Sequence, residues 1–285
     1  ANTLKYFYIN PGSWATGGAL NTARGGLAGA GTQTAALVFG GSTTPPITYK
    51  AETESYNGTN WTAVNNLNTA RKSLAGAGTQ TAALAFGGGS PYTAVTETWN
   101  GTNWTEVNDL NTARQQLAGA GTNTAALAFG GEAPPAVAVT ESWNGTNWTE
   151  VNDLNSARRS LGGVGTNTAA LAFGGNGPSA LTELWNGTNW TEVNDMGTGR
   201  YVTANAGTQT AALAIGGAPA TALTESWNGT NWTEVNDLNA ARSSLAGAGT
   251  NTAALAIGGV NPPGTEFTAT EEWNQGPATV TITTT

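Results

Sequence analysis

Residues 110–153 read LNTARQQLAGAGTNTAALAFGGEAPPAVAVTESWNGTNWTEVND, and this stretch decides the fold. After Arg114 comes Gln-Gln-Leu-Ala-Gly-Ala-Gly, a strand over 117–121 with almost no side-chain bulk. A polar turn at 121–124 leads into Ala125-Ala-Leu-Ala-Phe129, a second strand stopped by Gly130-Gly131. Residues 136–143 read as a third strand, with Val137, Val139, Glu141 and Trp143 alternating onto one face. Asn144-Gly145-Thr146-Asn147 reads as a hairpin turn, because Asn-Gly supplies the positive φ values of a tight reversal. Residues 148–152 make the fourth strand. No apolar stripe of helical period persists anywhere, and Gly, Thr and Asn dominate.

The unit recurs. The pairs Trp14/Arg24, Trp61/Arg71, Trp104/Arg114, Trp148/Arg158, Trp190/Arg200 and Trp232/Arg242 keep one spacing. Glycine pairs begin at Gly40, Gly87, Gly130, Gly174, Gly216 and Gly258, a period of 42 to 47 residues. Such a period marks a solenoid or a propeller. Small residues in one strand of each unit and indoles in the later ones suit a radial wedge, crowded at its axis and wide at its rim. The fold expected is therefore all-β: a six-bladed β-propeller with four antiparallel strands per blade. A β-solenoid and a seven-bladed ring are the alternatives. One domain over 1–285 is expected, with repeats at roughly 17–61, 62–104, 105–148, 149–190, 191–232 and 233–285, and with 1–16 closing the ring.

The ends carry strand-like sequence. Trp14 keeps its spacing to Arg24 without inner strands before it, so 13–16 is expected to complete the last blade. Residues 4–9 and 278–284 are then in surplus. The second alternates Val280 and Ile282 with threonines; it would complete the blade, lie beside the Trp14 strand, or pair with another chain. Ala1 fits either removal of an initiator Met or cleavage of a leader.

Composition narrows the chemistry. Cysteine and histidine are both absent, which removes thiolate nucleophiles, thiolate metal sites and the commonest general base. Net charge is −8 with ten Lys and Arg, so no electrostatic footprint for nucleic acid exists. Apolar runs are too short to span a bilayer as a helix. Eleven Trp supply enough apolar area to fold a chain this rich in glycine.

A Gly-Gly closing the second strand, an aromatic ten to fifteen residues later and a Trp five beyond that resemble the kelch repeat. The matching residues are Gly130-Gly131/Trp143/Trp148, Gly174-Gly175/Trp185/Trp190 and Gly216-Gly217/Trp227/Trp232, joined by Gly87-Gly88/Trp99/Trp104 and Gly40-Gly41/Tyr56/Trp61. The Arg before each inner strand is similar too. A WD-type propeller lacks its Gly-His signature here. The near-identical units also resemble kelch-like proteins of marine tailed phages, which implies a virion or cell-surface appendage. Six-bladed kelch mutarotases imply a rival reading as a sugar-modifying enzyme, with Glu, Tyr and Arg of one face at work. An intracellular interaction scaffold is a third reading.

Candidate chemistry divides into repeated and irregular positions. Glu54, Glu97, Glu141, Glu183, Glu225 and Glu271 match the six Arg in number, which suits paired struts better than an anion-binding ring. The carboxylates Glu106/Asp109, Glu150/Asp153, Glu192/Asp195 and Glu234/Asp237 recur with the repeat, so nothing sets one acid apart from the other as catalysis requires. They read as solvated turns. The irregular positions are the loops 42–50, 89–92, 132–136, 176–179, 218–220 and 260–267, beside the residues that follow each Arg. Their expected binding face holds Lys72, Tyr92, Gln115, Gln116, Arg159 and Tyr201. The expected function is non-enzymatic: a structural or binding propeller offering these loops to a protein or glycan, with no catalytic, metal or cofactor residues, no nucleic acid and no membrane insertion, and with self-association through the C-terminal strand as a further option.

Overall fold

A computed structural model describes residues 3–9, 11–89, 91–201, 203–262 and 264–283. Ala1, Ser90, Pro263 and Thr284, which belong to segments discussed above, lie outside the described residues. The described residues form six four-stranded antiparallel sheets and two two-stranded ones, with no helix. The six larger sheets are the blades of a β-propeller. In the third blade the order from hub to rim is Ala118–Gly121, Ala126–Phe129, Thr140–Trp143 and Trp148–Val151. Each innermost strand touches the innermost strands of its two neighbours, and that of the sixth blade (Ala246–Gly249) touches that of the first (Ala28–Gly31).

Crowding at the hub explains the small residues. A Cβ on Gly119 would stand 3.0 Å from the Gly76 carbonyl oxygen and 2.6 Å from the Phe86 ring. The second strands are buried on both faces and read as unbroken apolar runs. Their side chains alternate between two interfaces: Leu127 and Phe129 pack toward the fourth blade, Ala126 and Ala128 toward the second. The core is therefore six slabs, one between each pair of adjacent blades, and large side chains of one blade meet alanines and indoles of the next.

Hydrogen bonds repeat around the same ring. Each fourth-strand indole N–H donates to a threonine hydroxyl of the preceding blade: Trp148 to Thr96 at 3.0 Å, Trp190 to Thr140 at 3.1 Å and Trp232 to Thr182 at 3.0 Å. Trp104 reaches Thr53 in the same way, Trp61 reaches Thr270 of the sixth blade, and Trp14 reaches Thr224 of the fifth. Nearer the hub, the second glycine of each pair donates its amide to the carbonyl of the next blade's repeated Arg, as Gly131 does to Arg158 at 2.9 Å. The first glycine is held at positive φ, 63° at Gly130, where a Cβ would lie 2.7 Å from that same Arg158 oxygen. Conformation and contact both demand glycine there.

Two local expectations change. The third strand spans only Thr140–Trp143, not 136–143, because the Val137 amide donates to Gly131 and the Ala138 carbonyl accepts from Leu154, outside the ladder. In the 144–147 turn Gly145 has positive φ and Asn144 does not. The asparagine contributes its side chain instead: Oδ1 accepts from the amides of Thr146 and Asn147.

Ring closure uses the N-terminus. Ser13–Thr16 is the outermost strand of the sixth blade, paired with Thr270–Asn274 so that Trp14 faces Trp273. The surplus segments pair with each other: Thr3–Ile9 runs antiparallel to Pro277–Thr283 in a separate two-stranded sheet. The C-terminal segment therefore neither completes the sixth blade nor lies beside the Trp14 strand. The reason is geometric. Ser13 stands opposite Asn274 and Ile9 opposite Pro277, so the two chain ends leave the blade side by side and resume the same antiparallel direction.

One blade carries a tyrosine where the other five have Trp. The Tyr56 hydroxyl donates to Glu272 of the sixth blade, across the boundary between the first and sixth blades. Burial, and then the bond to this carboxylate, push the Tyr56 pKa from 10.0 up to about 12. A raised acid pKa means stability that is complete below the unfolded value and lost as pH climbs through the folded one.

Two measurements check these relations. Gly130→Ala should lower unfolding stability in urea by about 1–3 kcal/mol. Tyr56→Phe should be less stable than the parent at pH 8, with the gap closing as pH rises through the window from 10.0 to about 12.

Candidate binding face

Two irregular segments of every blade lie side by side, one after the repeated Arg and one after the glycine pair. Antiparallel bridges join Gly25 to Ser42, Lys72 to Gly89, Gln115 to Glu132, Tyr201 to Ala218 and Ser243 to Val260. In the fourth blade Asn176 takes that part, donating its amide to the Arg159 carbonyl and accepting the Arg159 amide at Oδ1. Local sequence explains the pairing: the buried Arg side chain pins the first segment, and the positive-φ glycines turn the second back onto it. The monotonous turns, such as 121–124 and 144–147, lie at the other ends of the strands.

The Arg anchors are neutralised within their own blades. Arg24 meets Glu54 at 2.9 Å, Arg71 meets Glu97 at 3.3 Å and Arg158 meets Glu183 at 2.9 Å. Arg200–Glu225 and Arg242–Glu271 both lie at 2.8 Å, and Arg114 pairs with Glu141. All twelve side chains are buried. Burial pulls each guanidinium pKa below its ordinary value, and the paired glutamate opposes that pull. Arg158 also donates to the carbonyls of Gly174 and Leu181, so it holds together three points of one blade. The second glutamate oxygen accepts the amide of the residue three before the Arg, as Glu183 does from Asn155 at 2.8 Å.

The repeated acidic pairs are similarly occupied. Asp109, Asp153, Asp195 and Asp237 each accept the amide that opens a third strand, at Thr96, Thr140, Thr182 and Thr224. Their companions Glu106, Glu150, Glu192 and Glu234 face solvent.

The six residues expected on the binding face fall into four places. Gln115 and Arg159 are brought together by Glu132: the Gln115 amide donates to one carboxylate oxygen at 3.1 Å and the Arg159 guanidinium pairs with the other. Lys72 and Gln116 line a cavity on the propeller axis, with the Lys72 ammonium 5.6 Å from the centre of the Tyr49 ring. Tyr92 is exposed at the rim, and Tyr201 is half-buried beside Ala218.

The axial cavity measures about 370 Å³ and opens among the irregular segments. Its wall holds a feature that sequence reading missed. Gly26, Ser73, Gln116, Ser160 and Ser244, each two residues after a repeated Arg, all have φ between 54° and 66°. That conformation lays amide and carbonyl along the circumference. Gly26 donates to Ser244, Ser73 to Gly26, Gln116 to Ser73 and Ser160 to Gln116, at 2.7–2.8 Å. The sixth equivalent position, Val202, lies outside the described residues. Left-handed non-glycine residues are costly and cluster where function holds them. Only an alignment of the repeats against one another, column by column, could have singled them out.

Neither a family model nor a curated protein matches the chain. What the structure shows is a six-bladed β-propeller built from repeated strand motifs. No helix among the described residues is long and apolar enough to cross a membrane.

Removing a buried anchor and removing an exposed one should differ sharply. Glu141→Ala strands the Arg114 guanidinium and should cost about 3–5 kcal/mol of unfolding free energy. Arg159→Ala, at a partly exposed pair, should cost less than about 1 kcal/mol by the same denaturation measurement.

Proposed function

We propose that this chain is a non-catalytic binding propeller that presents its irregular face to a protein or glycan partner, as part of a virion or cell-surface appendage. The observation that carries the reading is the contrast between the two faces. Turns on one face repeat nearly residue for residue, while the bridged segments of the other differ in every blade and surround the mouth of the axial cavity. A propeller frame fits a binding or scaffold role, since rigid blades hold such loops at little entropic cost on association. The chemistry left free on that face also suits recognition. The six Arg–Glu pairs are buried struts, and the rim cation Arg159 is matched by Glu132. A chain without His or Cys has few groups to move protons near neutral pH.

Arrays of glycans and of surface proteins, probed with labelled chain, test this directly. A joint Gln115→Ala, Arg159→Ala and Tyr92→Ala variant should lose binding to whatever the parent retains, with its thermal midpoint unchanged. A Thr122→Ala change, on the opposite face, should leave binding intact. Turnover of a sugar by the purified chain would overturn the non-catalytic reading.

A further inference from the structure

The outermost strand of each blade is a sheet edge, and an unpaired edge is a template for a further strand. Two devices recur on these edges. Two residues after the fourth-strand indole stand Glu106, Glu150, Glu192 and Glu234, exposed carboxylates on the edge strand itself. An asparagine side chain also caps the carbonyl of the Trp residue: Asn21 on Trp61, Asn68 on Trp104, Asn111 on Trp148 and Asn155 on Trp190, at 3.1–3.2 Å. The second, third and fourth blades carry both devices. The first keeps only the asparagine, with Ala63 in place of the glutamate, and the fifth only the glutamate, with Gly197 in place of the asparagine. The sixth blade has neither. Thr16 stands where the glutamate would, and Asn239 donates to Glu271 with no bond to the Trp14 carbonyl among the described residues.

Register shows what that edge offers. The Gly17 amide donates to the Thr270 carbonyl, so by alternation Ala15 and Ser13 exchange the ladder bonds with Glu272 and Asn274. Trp14 and Thr16 therefore turn their amides and carbonyls outward. Ser13, Ala15 and Thr16 are exposed, while Trp14 is buried. Ala15 is itself an exception, at a position held by Thr62, Thr105, Thr149, Thr191 and Thr233 in the other blades. Further toward the N-terminus, Thr3–Ile9 likewise has a partner strand on one side only. Residues 1–23 contain no Asp or Glu.

We propose that the Ser13–Thr16 edge joins two copies of this chain across a two-fold axis. An isologous contact needs a surface complementary to itself, and this edge is one. With Ala15 of one copy opposite Ala15 of the other, Trp14 meets Thr16 in both directions, and each of those two pairs exchanges both main-chain hydrogen bonds. The alanines then form the close pair of the new ladder, about 4.5 Å between Cα atoms, where a bare methyl leaves the approach open. Charge selects the edge. The chain carries a net −8, and the same pairing on the second to fifth blades would bring two glutamates onto neighbouring strands. Behind the sixth edge the acids are already engaged, Glu271 by Arg242 and Glu272 by the Tyr56 hydroxyl. Pairing there also covers the one outer strand that its blade holds without a covalent hairpin. The contact uses none of the irregular segments, so it stands or falls apart from the binding-face reading.

Sedimentation velocity at protein concentrations up to about 1 mM follows the association, a range suited to a short contact at the weak end of interfaces. The parent should pass from monomer to dimer as concentration rises. Thr16→Glu installs the residue of four other blades, with Glu271 opposite it as Glu97 is opposite Glu106, so the fold accommodates it. That variant should stay monomeric, with the thermal midpoint of the dilute parent. Ala63→Glu makes the matching change on the first blade's edge and should leave the dimer intact. Amide hydrogen exchange at Trp14 and Thr16 should slow as the parent dimerises. A parent that is monomeric throughout overturns the proposal. So does a dimer that survives Thr16→Glu, one lost equally in Ala63→Glu, or one whose Trp14 and Thr16 amides exchange as fast as the monomer's.

Discussion

At the hub, six strands converge until the Cα of one blade lies against the backbone of the next. A Cβ on Gly29 would stand 2.7 Å from the Gly247 carbonyl oxygen, and on Gly76 it would stand 2.7 Å from the Phe39 ring. This closeness sets the radius of the ring. From that radius follow the wedge between blades, the rising side-chain size toward the rim, and the need for indoles to fill the outer gap. The Ala-Gly-Ala-Gly strands are poor as isolated β-formers and pack almost nothing themselves. They hold because a neighbour covers them on each side.

Cohesion is accordingly distributed. No single core exists to be filled; there are six slabs, each made by two blades, each tied by an indole-to-threonine bond and a glycine-to-arginine bond. The arginine links two scales. Its side chain clamps three points of its own blade, and its carbonyl binds the blade before it. Desolvating that charge is tolerated because the glutamate, the carbonyls and the ring geometry answer it together. Closure lies inside the sixth blade, where the terminal strand carrying Trp14 pairs with Thr270–Asn274 without a covalent hairpin, and its indole donates to Thr224 of the fifth blade as the other indoles do to their preceding blades.

Such a frame leaves function to its exceptions. Backbone positions that must repeat are consumed by the ring, including the left-handed belt around the axial mouth. What remains free is the side chain at each irregular position and the occasional replacement within a conserved column. Lys72, Gln116 and Thr203 are of this kind, and the fold gathers them from the second, third and fifth blades into one cavity.

By itself the sequence determined the number of blades, the strand count in each, the small-to-large radial order and the closing role of Trp14. These follow from repetition, residue volume and turn chemistry, which act over short distances along the chain. It also separated irregular loops from repeated ones. Tertiary structure decided the rest: that Gln115 and Arg159 share Glu132, that Thr3–Ile9 takes up Pro277–Thr283, and that five left-handed residues link into a belt around the axial cavity. In each case the partners are brought together by the angle at which the chain circles its axis. That angle is a sum over all six interfaces, and no local stretch of residues contains it.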